Sequence, residues 1–244
     1  MRSGNPVLKD STFKQPFEVS GERMTLPGTV NKTAMLLAMT VITAVYAWSR
    51  FTQTGDPASV SALLMVGVIG GLIVAVVTVF RPAAAPYTAP AYALLEGLAL
   101  GGISAVMEAR YPGIVIQAVA LTFGTLLCLL LAYRSGLIKA TENFRLGVVA
   151  ATGGIMLLYL VSFVMGFFGR SIGFIHEGGT FGILFSAFVV VIAALNLVLD
   201  FDFIETGVEQ GAPKYMEWYG AFGLMVTLVW LYLEILRLLS KSRR

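Results

Sequence analysis

The sequence predicts an all-α, polytopic membrane protein of seven transmembrane helices, on three observations. Charge is scarce, apolar segments of spanning length follow one another, and the charges lie mostly between or beyond those segments. The chain is 57% hydrophobic and 13% charged, with a mean hydropathy of +0.81. A soluble domain carries about a quarter charged residues to face water. A chain so poor in charge faces lipid instead. The alternating segments of a membrane barrel are absent. The chain divides into a polar tail over residues 1–29, read as disordered or surface-lying, and a seven-helix domain over 30–240.

The tail contains Pro6, Pro16 and Pro27 and no apolar core of the signal-peptide type, so span one serves as an uncleaved insertion signal. A spanning helix needs roughly 20 apolar residues. Span one is read at 33–49 and closes on Thr54-Gly55-Asp56-Pro57. Span two, 59–80, carries Gly67, Gly70 and Gly71 and ends at Arg81-Pro82. Span three, 87–107, holds Glu96 and the run Gly97-Leu-Ala-Leu-Gly101, and Arg110-Tyr111-Pro112-Gly113 ends it. Span four, 113–133, contains Cys128; span five, 145–168, contains Gly153 and Gly154. Span six, 180–201, opens after Gly178-Gly179 and closes in acid, and span seven, 215–238, follows Gly211-Ala212-Pro213. Gly and Pro punctuate these segments. The small residues within them are read as faces where helices approach closely, within one chain or between weakly associated copies.

With seven spans, Arg2, Lys9, Lys14, Arg23, Lys32, Arg81, Arg134, Lys139, Arg145 and Lys214 fall on the tail side. Arg50, Arg110, Arg170, Arg237, Lys241, Arg243 and Arg244 fall on the other. The bias places the N-terminus in the cytoplasm of a cell with this protein in its inner membrane. The basic C-terminus strains that parity. The single cysteine excludes an intramolecular disulfide, and with one histidine, His176, no Cys/His zinc pattern forms. His176 lies beside Glu177 in the fifth connection and reads as a bystander. No nucleic-acid patch, phosphate loop or nucleophile elbow is present, and neither an enzyme nor a cofactor is expected.

Carboxylates inside spans need an explanation, because each costs about 2.5–3.5 kcal/mol at a helix centre. Glu96 has no Lys or Arg in its own span. It reads either as a pathway residue or as a neutral glutamate in a structural interhelical hydrogen bond. The second place is Asp200-Phe-Asp202-Phe-Ile-Glu205-Thr-Gly-Val-Glu209. Asp202, Glu205 and Glu209 share one helical face, and Asp200 points nearly the other way. Such a stripe can hold protons, a hard cation such as Ca²⁺ (Asp202 and Glu205 being the weak ligand candidates), or a salt bridge. A solvated helix end suits Glu209 well, Glu205 partly, and Asp200 and Asp202 least. Glu217 follows the Gly211-Ala-Pro213 turn and is placed to approach Glu205 across the hairpin. Glu234 and Arg237 read as an i,i+3 pair.

Taken together, the seven spans and tail, Leu95-Glu96-Gly97, Phe201-Asp202 with Glu205, and the closing Leu-Tyr-Leu-Glu-Ile-Leu-Arg-Leu-Leu (231–239) resemble a bacterial member of the Bax-inhibitor (transmembrane Bax-inhibitor-motif) family. The resemblance implies six helices in two groups of three around a central C-terminal helix. It also implies a pH-sensitive calcium leak in which an aspartate late in span six pairs with one in span seven. Asp202 matches the first. Where the family places the second, this chain has Gly223, Val226 and Thr227, and Glu217 is the nearest substitute. The function expected is a Ca²⁺ leak gated by Asp202, Asp200, Glu205 and Glu217, with Glu96 on the pathway. The rival is a non-transporting protein that engages a membrane-bound AAA protease through its N-terminal tail, as the resemblance also implies.

Overall fold

The computed structural model describes residues 21–168 and 179–243, Phe167 by its backbone alone. The expected disorder of residues 1–20 and the reading of His176 as a bystander fall on residues outside those described. Among those described, seven helices are long and apolar enough to cross a bilayer. They are α1 (Leu26–Thr54), α2 (Ala58–Phe80), α3 (Ala85–Arg110, preceded by a 3₁₀ turn at Pro82–Ala84), α4 (Ile114–Arg134), α5 (Glu142–Phe167), α6 (Thr180–Glu209) and α7 (Met216–Ser242). Even α4, with 21 residues, rises about 31 Å, enough for the hydrocarbon core.

The first helix starts earlier than the sequence suggests. Thr25 caps α1 by accepting from Gly28 N at 3.1 Å, and Pro27 lies in its first turn. Proline is tolerated there because the first amides have no helical partner to lose. Pro27 therefore belongs to a helix start and not to the tail. At the other limit, α6 continues as helix through the whole acidic run to Glu209.

Large apolar side chains such as Ile42, Leu72, Leu131 and Phe163 point outwards on α1, α2, α4 and α5, as lipid-facing helices require. Only 17–22% of the spanning window is buried in these four helices, against 50% in α3 and α6 and 61% in α7. The C-terminal helix is thus the most enclosed.

The helices fall into two compact units. One holds residues 21–115 with Ile204–Met225. Here α3 packs on both α1 and α2. Gly97 and Gly101 meet Thr40, Thr43 and Ala44 of α1, so two small-residue stripes of matching spacing interlock. Thr40 Oγ1 adds a 3.1 Å bond to Ala93 O. Gly67 of α2 leaves 2.7 Å between a would-be Cβ and Leu95 O. The other unit holds residues 116–203 and 226–243. Ile155, Val189 and Ile192 form its core with Tyr159, Phe185 and Trp230. Gly153 and Gly154 do not pack as the sequence suggests. A Cβ at either meets no described atom within 4 Å.

Candidate functional site

On α6 and in the first turn of α7, the buried carboxylates occupy two neighbourhoods, each within one unit. The first is the seam of α5 and α6. Arg145, Val148, Thr152 and Ile155 recur at helical spacing along α5, and Asn196 and Asp200 stand one turn apart on α6. Asp200 is fully buried. Asp202 keeps 20% side-chain exposure and accepts a 2.6 Å bond from Arg145 Nη2. Asn196 donates from Nδ2 to Thr152 Oγ1 and to Ile192 O, both at 2.8 Å. Its Oδ1 is buried without a hydrogen-bond partner among the described residues. Phe201 lies 5.9 Å from the Tyr133 ring.

Sequence reasoning counted Arg145 only as a topological charge and passed over Asn196 and Thr152. The signal that finds Arg145 is its level. A cation opening span five stands beside an acid closing span six when the two helices are antiparallel neighbours.

At the other end of the same unit the basic C-terminus is absorbed. Arg237 Nη1 bonds Glu234 at 2.9 and 3.0 Å and the Tyr159 hydroxyl at 2.6 Å. Lys241 is buried and donates to Gly182 O and Ser186 Oγ, at 3.1 and 2.9 Å. Arg243 reaches Gln117 at 2.8 Å. The expected Glu234–Arg237 pair is present, with Tyr159 as a third member.

The second neighbourhood surrounds Glu217, whose side chain is fully buried. It accepts from Thr25 N at 2.9 Å and Thr25 Oγ1 at 2.7 Å, pairs with Lys32, and lies 3.4 Å from Lys214 Nζ. Lys32 also sits over the Trp218 ring. The carboxylate occupies the space a side chain on Gly28 would need. Glu217 therefore caps α1 and neutralises lysines. The acidic pairing with Glu205 expected from the hairpin does not describe its surroundings, because the Gly211–Pro213 turn delivers Lys214 and the start of α1 to it. Glu205 itself is exposed, as is Glu209.

Glu96 is partly buried, hydrogen-bonds Tyr92 one turn earlier on α3, and faces the bare backbone of Gly71 on α2. Glu108 closes the α3–α4 turn by accepting from Gly113 N at 2.5 Å and Val115 N at 3.0 Å. The weak Ca²⁺ candidates are not gathered as ligands. Asp202 is committed to Arg145, and no group of three or more His, Cys, Asp or Glu able to hold a metal occurs among the described residues.

No curated protein and no solved structure matches the chain. A family model described as "Bax inhibitor 1 like" matches residues 5–244, almost the entire length. With seven helices of spanning length among its described residues, this multi-pass membrane protein belongs to the Bax inhibitor 1 like family.

Proposed function

We propose that the protein provides a passive, proton-regulated leak for cations, Ca²⁺ first among them, across the cytoplasmic membrane, with its N-terminus in the cytoplasm. The observation that carries this reading is a fully buried aspartate, Asp200, two residues before the Asp202 of the half-buried Asp202–Arg145 pair, in helices of spanning length. Intramembrane carboxylates are costly and usually mark an ion or proton path. The buried Thr152–Asn196 pair extends the polar seam a further turn into the span. Proton uptake at Asp202 would leave Arg145 as a poorly solvated charge without its partner, a change worth several kcal/mol. That is enough to shift the α5–α6 contact between two packings. Family membership supports the same reading.

Reconstitution in liposomes loaded with a Ca²⁺ dye tests it. Flux should change as the pH falls and the Asp202–Arg145 pair is lost. Asp202→Asn should abolish that pH dependence. Flux no greater than in empty vesicles, or an unaltered pH profile in the variant, would sink the leak.

A second reading, a membrane partner engaged through the tail, is favoured by the anchoring of residues 22–24 to the α6–α7 turn. Deleting residues 2–20 removes the tail and spares that anchor. A leak survives the deletion, whereas a tail-borne interaction is lost.

A further inference from the structure

We propose that Gly21–Thr25 is a strap that couples the N-terminal tail to the first turn of α7, so that a load or a partner on the tail acts directly on that helix.

Three layers of contact hold the strap. The backbone of Glu22–Met24 runs antiparallel to Ala212–Lys214. Met24 N donates to Ala212 O at 2.7 Å and Lys214 N donates to Glu22 O at 3.0 Å, which brackets an Arg23–Pro213 bridge. The side chain of Met24 is buried, and its Cε reaches the backbone of Gly220 one turn into α7, beside Thr29 of α1 and Ile204 of α6. Finally, Glu217 grips the end of the strap through the amide and the hydroxyl of Thr25, with Lys32 and Lys214 balancing its charge.

These bonds put the strap in series with α7. Glu217 and Gly220 belong to its first turns, and Glu217 is also what completes the cap of α1. Displacing the strap removes two donors to a buried carboxylate, the cover of Gly220, and the backbone bridge to the turn from which α7 starts. The cost falls on the beginning of α7, because the amides of Met216 to Tyr219 bond to carbonyls of Pro213, Lys214 and Tyr215. The turn also holds Gly211 in the left-handed region at φ 66°, with Arg23 packed against it. The inference concerns mechanical coupling and stands whether or not the protein passes ions.

Full-length protein with Cys128→Ser tests it in two steps. Arg23 and Pro213 face each other as a non-hydrogen-bonded antiparallel pair, whose Cα atoms lie about 4.5 Å apart, within disulfide range. Arg23→Cys with Pro213→Cys should therefore cross-link within the chain under mild oxidation, and Glu22→Cys with Pro213→Cys should not. Equal cross-linking of both pairs means no fixed strap and overturns the proposal.

Hydrogen exchange in detergent then reads the coupling. Met24→Asp, which expels the strap, should speed exchange of the Met216–Tyr219 amides about tenfold as that turn opens locally. Met24→Leu should not, and residues 229–236 should be unchanged in both. If Met24→Asp fails to fold, the oxidised and reduced forms of the Arg23/Pro213 cysteine pair give the same comparison, with slower exchange of those amides expected in the oxidised form. A cross-link that leaves the first turn of α7 unaffected overturns the coupling.

Discussion

Two charged contacts dominate at the scale of single residues. Asp202 and Arg145 are both less than one-quarter exposed, so removing either leaves a poorly solvated charge. Asp202→Leu should cost about 3 kcal/mol, and adding Arg145→Met should recover most of it, because a buried pair is dear to break and cheap to replace as a whole. Unfolding of the single and double variants in mixed micelles measures the cycle; additive losses would show that the two side chains act independently. Glu217→Gln keeps a carbonyl oxygen for Thr25 and loses the ion pair with Lys32. It should destabilise by about 2–3 kcal/mol, most of which is the stranded lysine. The same measurement checks it, with Lys32→Met expected to restore part of the loss in the Glu217→Gln background.

At the scale of elements, the glycines separate into two kinds. Gly101 has the backbone of Ala44 where its side chain would go, and no flexible group can yield. Gly101→Leu should cost at least about 3 kcal/mol or prevent assembly of α1 with α3, since overpacking against backbone forces the helices apart. Gly154→Leu meets open space among the described residues and should fall within about 0.5 kcal/mol of wild type. Thermal melts of the two variants separate the cases; equal destabilisation would mean that α5 packs where it is shown bare. The Gly97–Gly101 spacing was readable in the sequence as a packing face. The different fate of Gly153–Gly154 was not, because lipid and helix interior are both apolar. Composition around a small residue then says nothing about which of them it faces. The start of α1 was readable in principle from Thr25 followed by Pro27, a cap with proline in the first turn. The same proline seen from the tail reads as a breaker.

At the scale of the molecule, seven crossings, one for each helix of spanning length among the described residues, would put the two termini on opposite sides of the bilayer. The basic C-terminus strains that parity, although Arg237, Lys241 and Arg243 each have a protein partner. In the proposed orientation, and in a Cys128→Ser background, Ser242→Cys should react with an impermeant maleimide from outside the cell, and Ser11→Cys only after permeabilisation. Labelling of both from one side would remove a span. Asp202 and Glu205 were placed in the sequence as one acidic stripe and as weak Ca²⁺ ligands. The structure divides that stripe, with Asp202 against Arg145 and Glu205 exposed, while the carboxylate on the opposite face, Asp200, is the buried one.

The sequence by itself determined the membrane, the number of spans, the helical class and the family. Each follows from sums over many residues: apolar length against bilayer thickness, charge against lipid, and a motif pattern along the whole chain. Only the tertiary structure decided which acids have partners. Arg145 and Asp202 are 57 residues apart, and Lys32 and Glu217 are 185 apart. No local pattern joins residues at such separation, and a carboxylate in a span looks the same beside a lysine as beside a proton path. The strap is of the same kind. Residues 22–24 carry no strand signal, and they become extended because the α6–α7 turn offers its backbone to them.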